Sequence, residues 1–277
     1  MKNIDVSEIK ALVLDIDGTI TPEGEKVSPQ TIKILSEICI TYNLDLIFLT
    51  GRAWCLVKYI LDEFHNINGD ISFVKGVLSE LGSKFVNPRG NIVWGKYLSQ
   101  ESKGFILSQI HKDDFFLFSG HDNFYYLYSN DTNIIKKWSN KFSKYGNHIF
   151  QLTSKDYHYM TSLFFLDKVS VLRTSAKIEN NKTNTSFEGK YNSKHKLWEI
   201  SQFKSKKNGL IHYCKINNLS VKNILFAGNE VSDLDVFDLE LASSIYIGDK
   251  DCIKPVDFSL RNPKDFMDLL QKNFPIN

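Results

Sequence analysis

Three continuous apolar runs in this chain, ALVL at 11–14, LIFL at 46–49 and ILFA at 224–227, break abruptly into small and polar residues. The breaks read Asp15-Ile16-Asp17-Gly18-Thr19, then Thr50-Gly51-Arg52, then Gly228-Asn229-Glu230-Val231-Ser232-Asp233. Apolar runs without alternation are the habit of strands buried on both faces, as in parallel sheets. Between them the pattern predicts helices. One runs over Pro29–Tyr42, with Ser28 as its cap and proline in its first turn. Others are predicted over 53–64, 210–217 and 234–241, and SSIYIG at 243–248 predicts a further short strand. Strands alternating with helices at this spacing give an α/β class, a doubly wound parallel sheet covered on both faces. Ligands bind beyond the carboxyl ends of such strands, so three strands breaking into polar residues describe one crevice.

A segment of different texture separates the two ends. Residues 82–201 are expected to form an inserted α+β domain, and 1–81 with 202–277 the α/β core. VLSELGSKFVNPRGNIVW predicts a strand, a turn at 87–90 and a return strand. FFLFSG, FYYLYS, HIFQLT, SLFFL and VSVLRT are further β-favouring runs, rich in aromatic residues, that predict an antiparallel sheet. The stretch KIENNKTNTSFEGKYNSKHK reads as an exposed loop.

The first break carries the most chemistry. Asp15 and Asp17, one residue apart, are expected to project to the same side while Ile16 anchors the loop in the core. A carboxylate attacking phosphorus meets a dianionic substrate. At ~4 Å each like-charge pair costs roughly 4 kcal/mol at an effective dielectric of ~20. A cation is therefore needed, and with oxygen donors and no neighbouring His or Cys the set suits Mg²⁺. Taken alone, the triplet reads equally well as a turn at a strand end. The two other breaks tip the balance toward a site.

Together the motifs resemble those of the haloacid dehalogenase superfamily of phosphohydrolases. DIDGT is similar to its first motif, FLTGR to its second, a lysine near the start of a late helix to its third, and GNEVSD to its fourth. The resemblance implies that Asp15 is a nucleophile forming an aspartyl-phosphate. Asp17 is implied as the acid that protonates the leaving oxygen and the base that then activates water. It also implies that Thr50 holds a phosphate oxygen, that Gly18 and Thr19 shape the phosphate loop, and that Gly51 and Arg52 line the substrate side. Mg²⁺ would be held by Asp15, Asp17, Asn229 and Asp233. For the third motif, Lys206 fits the family spacing to Leu210, Leu219 and Gly228, and Lys207 is the second choice. Asn229 departs from the family's aspartate. Either an amide oxygen has replaced a ligand, with Glu230 supplying the missing charge, or the chain is losing catalysis.

The insert's position, with Glu80-Leu81-Gly82 at its edge, resembles the large cap of the sugar-phosphate and Cof-type branch. Such a cap closes over the crevice and selects the substrate. Arg52, Glu80, Ser83, Arg89 and Arg173 are candidates for that role. The expected activity is Mg²⁺-dependent hydrolysis of a small phosphomonoester, a sugar phosphate. The alternatives are a phosphomutase using the same aspartyl-phosphate and a non-catalytic binding module.

Composition changes little. A formal net charge of +2 argues against a dedicated nucleic-acid binder. No apolar run approaches the ~20 residues of a membrane span, and the first residues do not read as a signal peptide, so a cytoplasmic enzyme is expected. Cys39, Cys55, Cys214 and Cys252 are scattered and read as reduced thiols. The Asn-x-Ser/Thr triplets at Asn130, Asn181 and Asn184 are then accidents of an Asn-rich chain.

Overall fold

The computed structural model describes residues 4–109, 116–120, 125–128, 131–143, 149–151, 160–165, 188–192, 197–201, 205–248 and 252–276. The chain begins with β1 (Ala11–Leu14), α1 (Pro29–Tyr42), β2 (Asp45–Leu49), α2 (Lys58–Asn68), β3 (Val74–Ser79), β4 (Lys84–Val86) and β5 (Ile92–Gly95). It continues with α3 (Gln100–Gln109), β6 (Phe116–Gly120), β7 (Tyr125–Tyr128), α4 (Thr132–Ser143), β8 (Ile149–Gln151), β9 (Met160–Phe165), β10 (Glu188–Asn192) and β11 (Leu197–Ser201). It closes with α5 (Lys206–Ile216), β12 (Ile224–Gly228), β13 (Ser243–Ile247), β14 (Phe258–Leu260) and α6 (Pro263–Asn273).

Two compact units share the chain. One comprises Met1–Gly51, Lys58–Trp94 and Ser205–Asn277; the other comprises Arg52–Val57 and Gly95–Lys204. The first is built on an eight-stranded sheet of order β14-β13-β12-β1-β2-β3-β4-β5. Pairing is parallel from β14 through β3 and turns antiparallel at β3–β4. All four residues of β1 are fully buried, as its unbroken apolar run requires. On one face Val13, Ile47, Leu49 and Phe226 pack with Leu210 and Tyr213 of α5. Burying each such side chain contributes about 1.5–3 kcal/mol. α1 keeps its expected bounds: the Ser28 hydroxyl accepts from Thr31 N–H, and Asn43, left-handed at φ 52°, ends it.

The register fixes where the crevice lies. Leu14 pairs with Ala227 on one side and Phe48 on the other, so the ends of β12, β1 and β2 sit side by side. The three polar breaks leave from adjacent parallel strands at their carboxyl ends.

The second unit holds a six-stranded sheet, order β10-β11-β9-β6-β7-β8. Its pairs are antiparallel apart from β7–β8, which is parallel. FFLFSG, FYYLYS, HIFQLT and SLFFL all supply strands, while VSVLRT lies outside the described residues. Among the described residues no helix is long and apolar enough to cross a membrane.

Several local expectations need correction. The division at 81/82 falls between β3 and β4, which pair antiparallel in the core sheet, and the units part at 94/95. Part of the expected loop, 188–192, is β10, held by pairing with β11. Instead of one helix over 53–64, a 3₁₀ turn at Trp54–Leu56 precedes α2, since Trp, Cys and Val are weak helix formers and Ala53 offers no side-chain cap. Residues 234–241 form a 3₁₀ turn at Val236–Asp238 and no α-helix: bonds run from Val236 N–H to the Asp233 carbonyl and from Leu239 N–H to that of Val236. The 210–217 helix begins earlier, at Lys206, because the Ser205 hydroxyl caps it by accepting from Asn208 N–H.

Candidate active site

Lys206, first residue of α5, points its ammonium between two carboxylates far from it in sequence. Its Nζ donates to Asp15 Oδ1 at 2.8 Å and to Asp233 Oδ1 at 2.7 Å. All three side chains are buried, Lys206 at 1% exposure and Asp233 at 0%. The earlier start of α5 makes this contact possible, since the Ser205 cap puts Lys206 in the first turn.

Asp233 is committed on both oxygens. Oδ2 accepts from Asn229 N–H at 3.0 Å and Glu230 N–H at 2.8 Å, so its carboxylate shapes the loop after β12 as well as holding Lys206. Gly228 makes room for this, because a Cβ there would lie 2.6 Å from the Asp233 carboxyl carbon. Asp15 differs: its Oδ2 is buried and has no hydrogen-bond partner among the described residues.

The loop after β1 closes on itself. Gly18 adopts φ +78° and donates to the Thr21 carbonyl at 2.7 Å, while Thr19 N–H reaches the Ile16 carbonyl. Ile16 is fully buried, as anticipated. The Asn229 side chain lies against this loop: a Cβ on Gly18 would fall 2.0 Å from Asn229 Nδ2, and Thr19 Oγ1 donates to Asn229 Oδ1 at 3.3 Å. Asp17 accepts from Gly24 N–H at 3.4 Å. Thr50 is buried at the tip of β2, and its carbonyl accepts from Leu81 N–H at 3.0 Å.

Asp15, Asp233, Lys206, Gly18, Thr19 and Asn229 are thus brought together, and Thr50 stands on the neighbouring strand. Lys207 is half-buried, and its charge is among those that favour the Asp238 carboxylate. Arg52 belongs to the second unit, where its guanidinium donates to the Leu56 carbonyl at 3.3 Å. Gly51 has ordinary space around it. Arg89 is exposed on the 87–90 turn, and Arg173 lies outside the described residues.

Burial pushes the Asp15 carboxyl well above its ordinary range; Lys206 opposes this, while Asp233 and Glu230 reinforce it. Asp233 is raised by burial too, against the pull of Lys206. Burial alone would lower Lys206, but Asp15, Asp233 and Glu230 outweigh it and hold the ammonium charged. Among the described residues the Lys206 ammonium interacts with Asp15, Asp233 and the half-buried Glu230.

A family model for the haloacid dehalogenase-like hydrolases matches residues 12–244. The chain belongs to this family. Solved structures agree in fold. A haloacid dehalogenase-like hydrolase from Bacteroides thetaiotaomicron is 15% identical, with 96% of this chain and 100% of that one covered at TM-score 0.75. TM0651 from Thermotoga maritima is 14% identical over 95% and 97%, at TM-score 0.74. The HAD subclass IIB sugar phosphatase BT4131 is 14% identical over 97% and 100%, at 0.72. No curated protein matches.

The family raises the question of a metal, and the donors present fit an oxygen-ligated divalent cation. The buried Asp15 Oδ2 has no hydrogen-bond partner among the described residues and feels the charges of Asp233 and Glu230. Among the described residues no three His, Cys, Asp or Glu side chains form a ready-made chelate. A cation here would rely on Asp15, a backbone carbonyl, the Asn229 amide oxygen, water and substrate oxygen, which hard cations accept.

Sequence reasoning missed Lys84. Its Nζ meets Glu80 Oε1 at 2.8 Å with both side chains at 0% exposure. The pair spans a turn in which Glu80, Leu81 and Gly82 are all left-handed, at φ 54°, 58° and 82°. For the two non-glycine residues this costs roughly 1–2 kcal/mol each. The Glu-Leu-Gly stretch marked the place, but nothing in the sequence marked Lys84 as buried.

Proposed function

We propose that this protein is a Mg²⁺-dependent phosphatase of a small phosphomonoester, a sugar phosphate, working through an aspartyl-phosphate on Asp15. The observation that carries the reading is the Lys206 ammonium shared between Asp15 and Asp233, three groups from separate strand and helix ends.

In this reading the Asp15 carboxylate attacks phosphorus and the bond to the ester oxygen breaks, with Asp17 giving that oxygen a proton. Asp17 then takes a proton from water, which attacks phosphorus and releases inorganic phosphate from Asp15. Lys206 opposes the protonation that burial favours at Asp15, aims its carboxylate, and offsets charge as it builds on the phosphoryl oxygens. Thr50 holds one of those oxygens; Gly18 and Thr19 let the backbone approach the others. Asp15, the Asp17 carbonyl and Asn229 would hold Mg²⁺, which when bound neutralises phosphate charge. Asp233, with both oxygens engaged, serves as a positioning residue rather than a direct ligand. The second unit is the cap that chooses the substrate, and a sugar phosphate is favoured by the fold shared with a sugar phosphatase.

A second reading, a phosphate-binding module without turnover, is favoured by Asn229, whose amide oxygen already accepts from Thr19. A panel of phosphosugars decides between them. The first reading expects Mg²⁺-dependent phosphate release by wild type and none by Asp15→Asn or after chelation. Equal release by both proteins overturns it. Phosphate binding without release supports the module.

A further inference from the structure

We propose that the buried Glu80–Lys84 ion pair is a positioning clamp, holding Thr50 and the start of α5, with Lys206, in register for phosphoryl transfer. The proposal rests on the catalytic reading above and assigns that site two residues outside its motifs.

The turn that the pair spans touches both sides of the site. Leu81 N–H donates to the Thr50 carbonyl at 3.0 Å, which fixes the tip of β2. One residue on, Gly82 packs against Gly209 in the first turns of α5. A Cβ on Gly82 would lie 2.9 Å from Gly209 Cα and 3.5 Å from the Lys206 carbonyl oxygen; one on Gly209 would lie 2.5 Å from the Gly82 carbonyl oxygen. Helix and turn are in backbone contact, so a shift in the turn displaces the helix that carries Lys206.

The backbone reaches both contacts through three successive left-handed residues, a conformation that two of them resist. Backbone bonds from Gly82 N–H to the Ser79 carbonyl and from Ser83 N–H to the Glu80 carbonyl stitch it. The Ser79 and Ser83 hydroxyls, both buried, have no partner among the described residues. Across the turn, Glu80 and Lys84 close at 2.8 Å in full burial. Buried pairs are costly to desolvate and are often matched in stability by apolar residues. What such a pair adds here is a fixed geometry, with the turn held in the one arrangement that meets both Thr50 and Gly209.

The test compares wild type with Lys84→Met, Lys84→Arg, the double variant Glu80→Gln/Lys84→Met, and Phe266→Leu in α6, a core change remote from the turn. For each, urea stability, kcat, KM and amide hydrogen exchange at Leu81 are measured. The clamp predicts kcat lower by about tenfold or more in Lys84→Met with KM little changed, since misplaced groups act on the transition state. Leu81 exchanges faster in that variant. The double variant, with both charges of the pair removed, regains stability without regaining kcat; Lys84→Arg recovers most of kcat; Phe266→Leu loses stability but keeps kcat. A folded double variant with wild-type kcat and a protected Leu81 amide overturns the clamp. A wild type that releases no phosphate overturns the catalytic reading instead, and unchanged Leu81 protection in the double variant then still counts against the clamp.

Discussion

Lys206 concentrates the chemistry of this chain in one side chain. Buried and doubly bonded, it balances Asp15 and Asp233 at once, so its removal leaves two carboxylates out of water without a counter-charge. Lys206→Met is expected to destabilise the fold by about 3–5 kcal/mol, read from urea unfolding. It should also abolish turnover beyond the effect of lost stability. A variant as stable as wild type would mean that the triad is not charged as drawn. Much of the geometry at this scale was legible: Asp15, the Thr50 tip and the interval from Lys206 to Gly228 all singled out residues that stand together or on neighbouring strands. Spacing along the chain could not reveal which hydrogen bonds each atom makes. Asp233 reads as a ligand from its place in GNEVSD; in the fold one of its oxygens accepts from Lys206 and the other from two backbone N–H groups. Lys84, between Ser83 and Phe85, carries no sign of burial, because its partner reaches it through a backbone turn that residue patterns do not encode.

At the scale of elements, the placing of Lys206 depends on where α5 begins. The Ser205 hydroxyl bonded to Asn208 N–H starts the helix a full turn before the expected Leu210, and that turn delivers Lys206. Ser205→Ala should cost about 1 kcal/mol in thermal or urea stability, as a lost N-cap does, and lower kcat by more than that loss in folded population explains. Unchanged kcat would separate the cap from the site. Gly209 explains the missed start. A glycine within a helix reads as a breaker, whereas here it admits the close approach of Gly82. The strands were easier. Unbroken apolar runs in β1, β2 and β12 match their full burial in a parallel sheet, while the short 3₁₀ turn at Val236–Asp238 had too little length for periodicity to discriminate.

For the whole molecule, one α/β unit assembled from both ends of the chain carries every residue of the Lys206 triad, and an inserted unit carries the second sheet. The alternation of strands and helices led to an expected division at 81/82 and 201/202. Its boundary was misjudged because β4 and β5 share the β-rich texture of the insert while extending the core sheet. Membership of the haloacid dehalogenase-like hydrolases follows from the matched sequence, and the shared fold from structures of low identity.

The central claim is that Asp15 is phosphorylated during turnover. The most direct measurement quenches the enzyme in acid during reaction with a labelled phosphosugar and Mg²⁺, then maps the label by peptide analysis. The account predicts base-labile label on the peptide containing Asp15 and none in Asp15→Asn. Turnover that continues with no label on that peptide would contradict it.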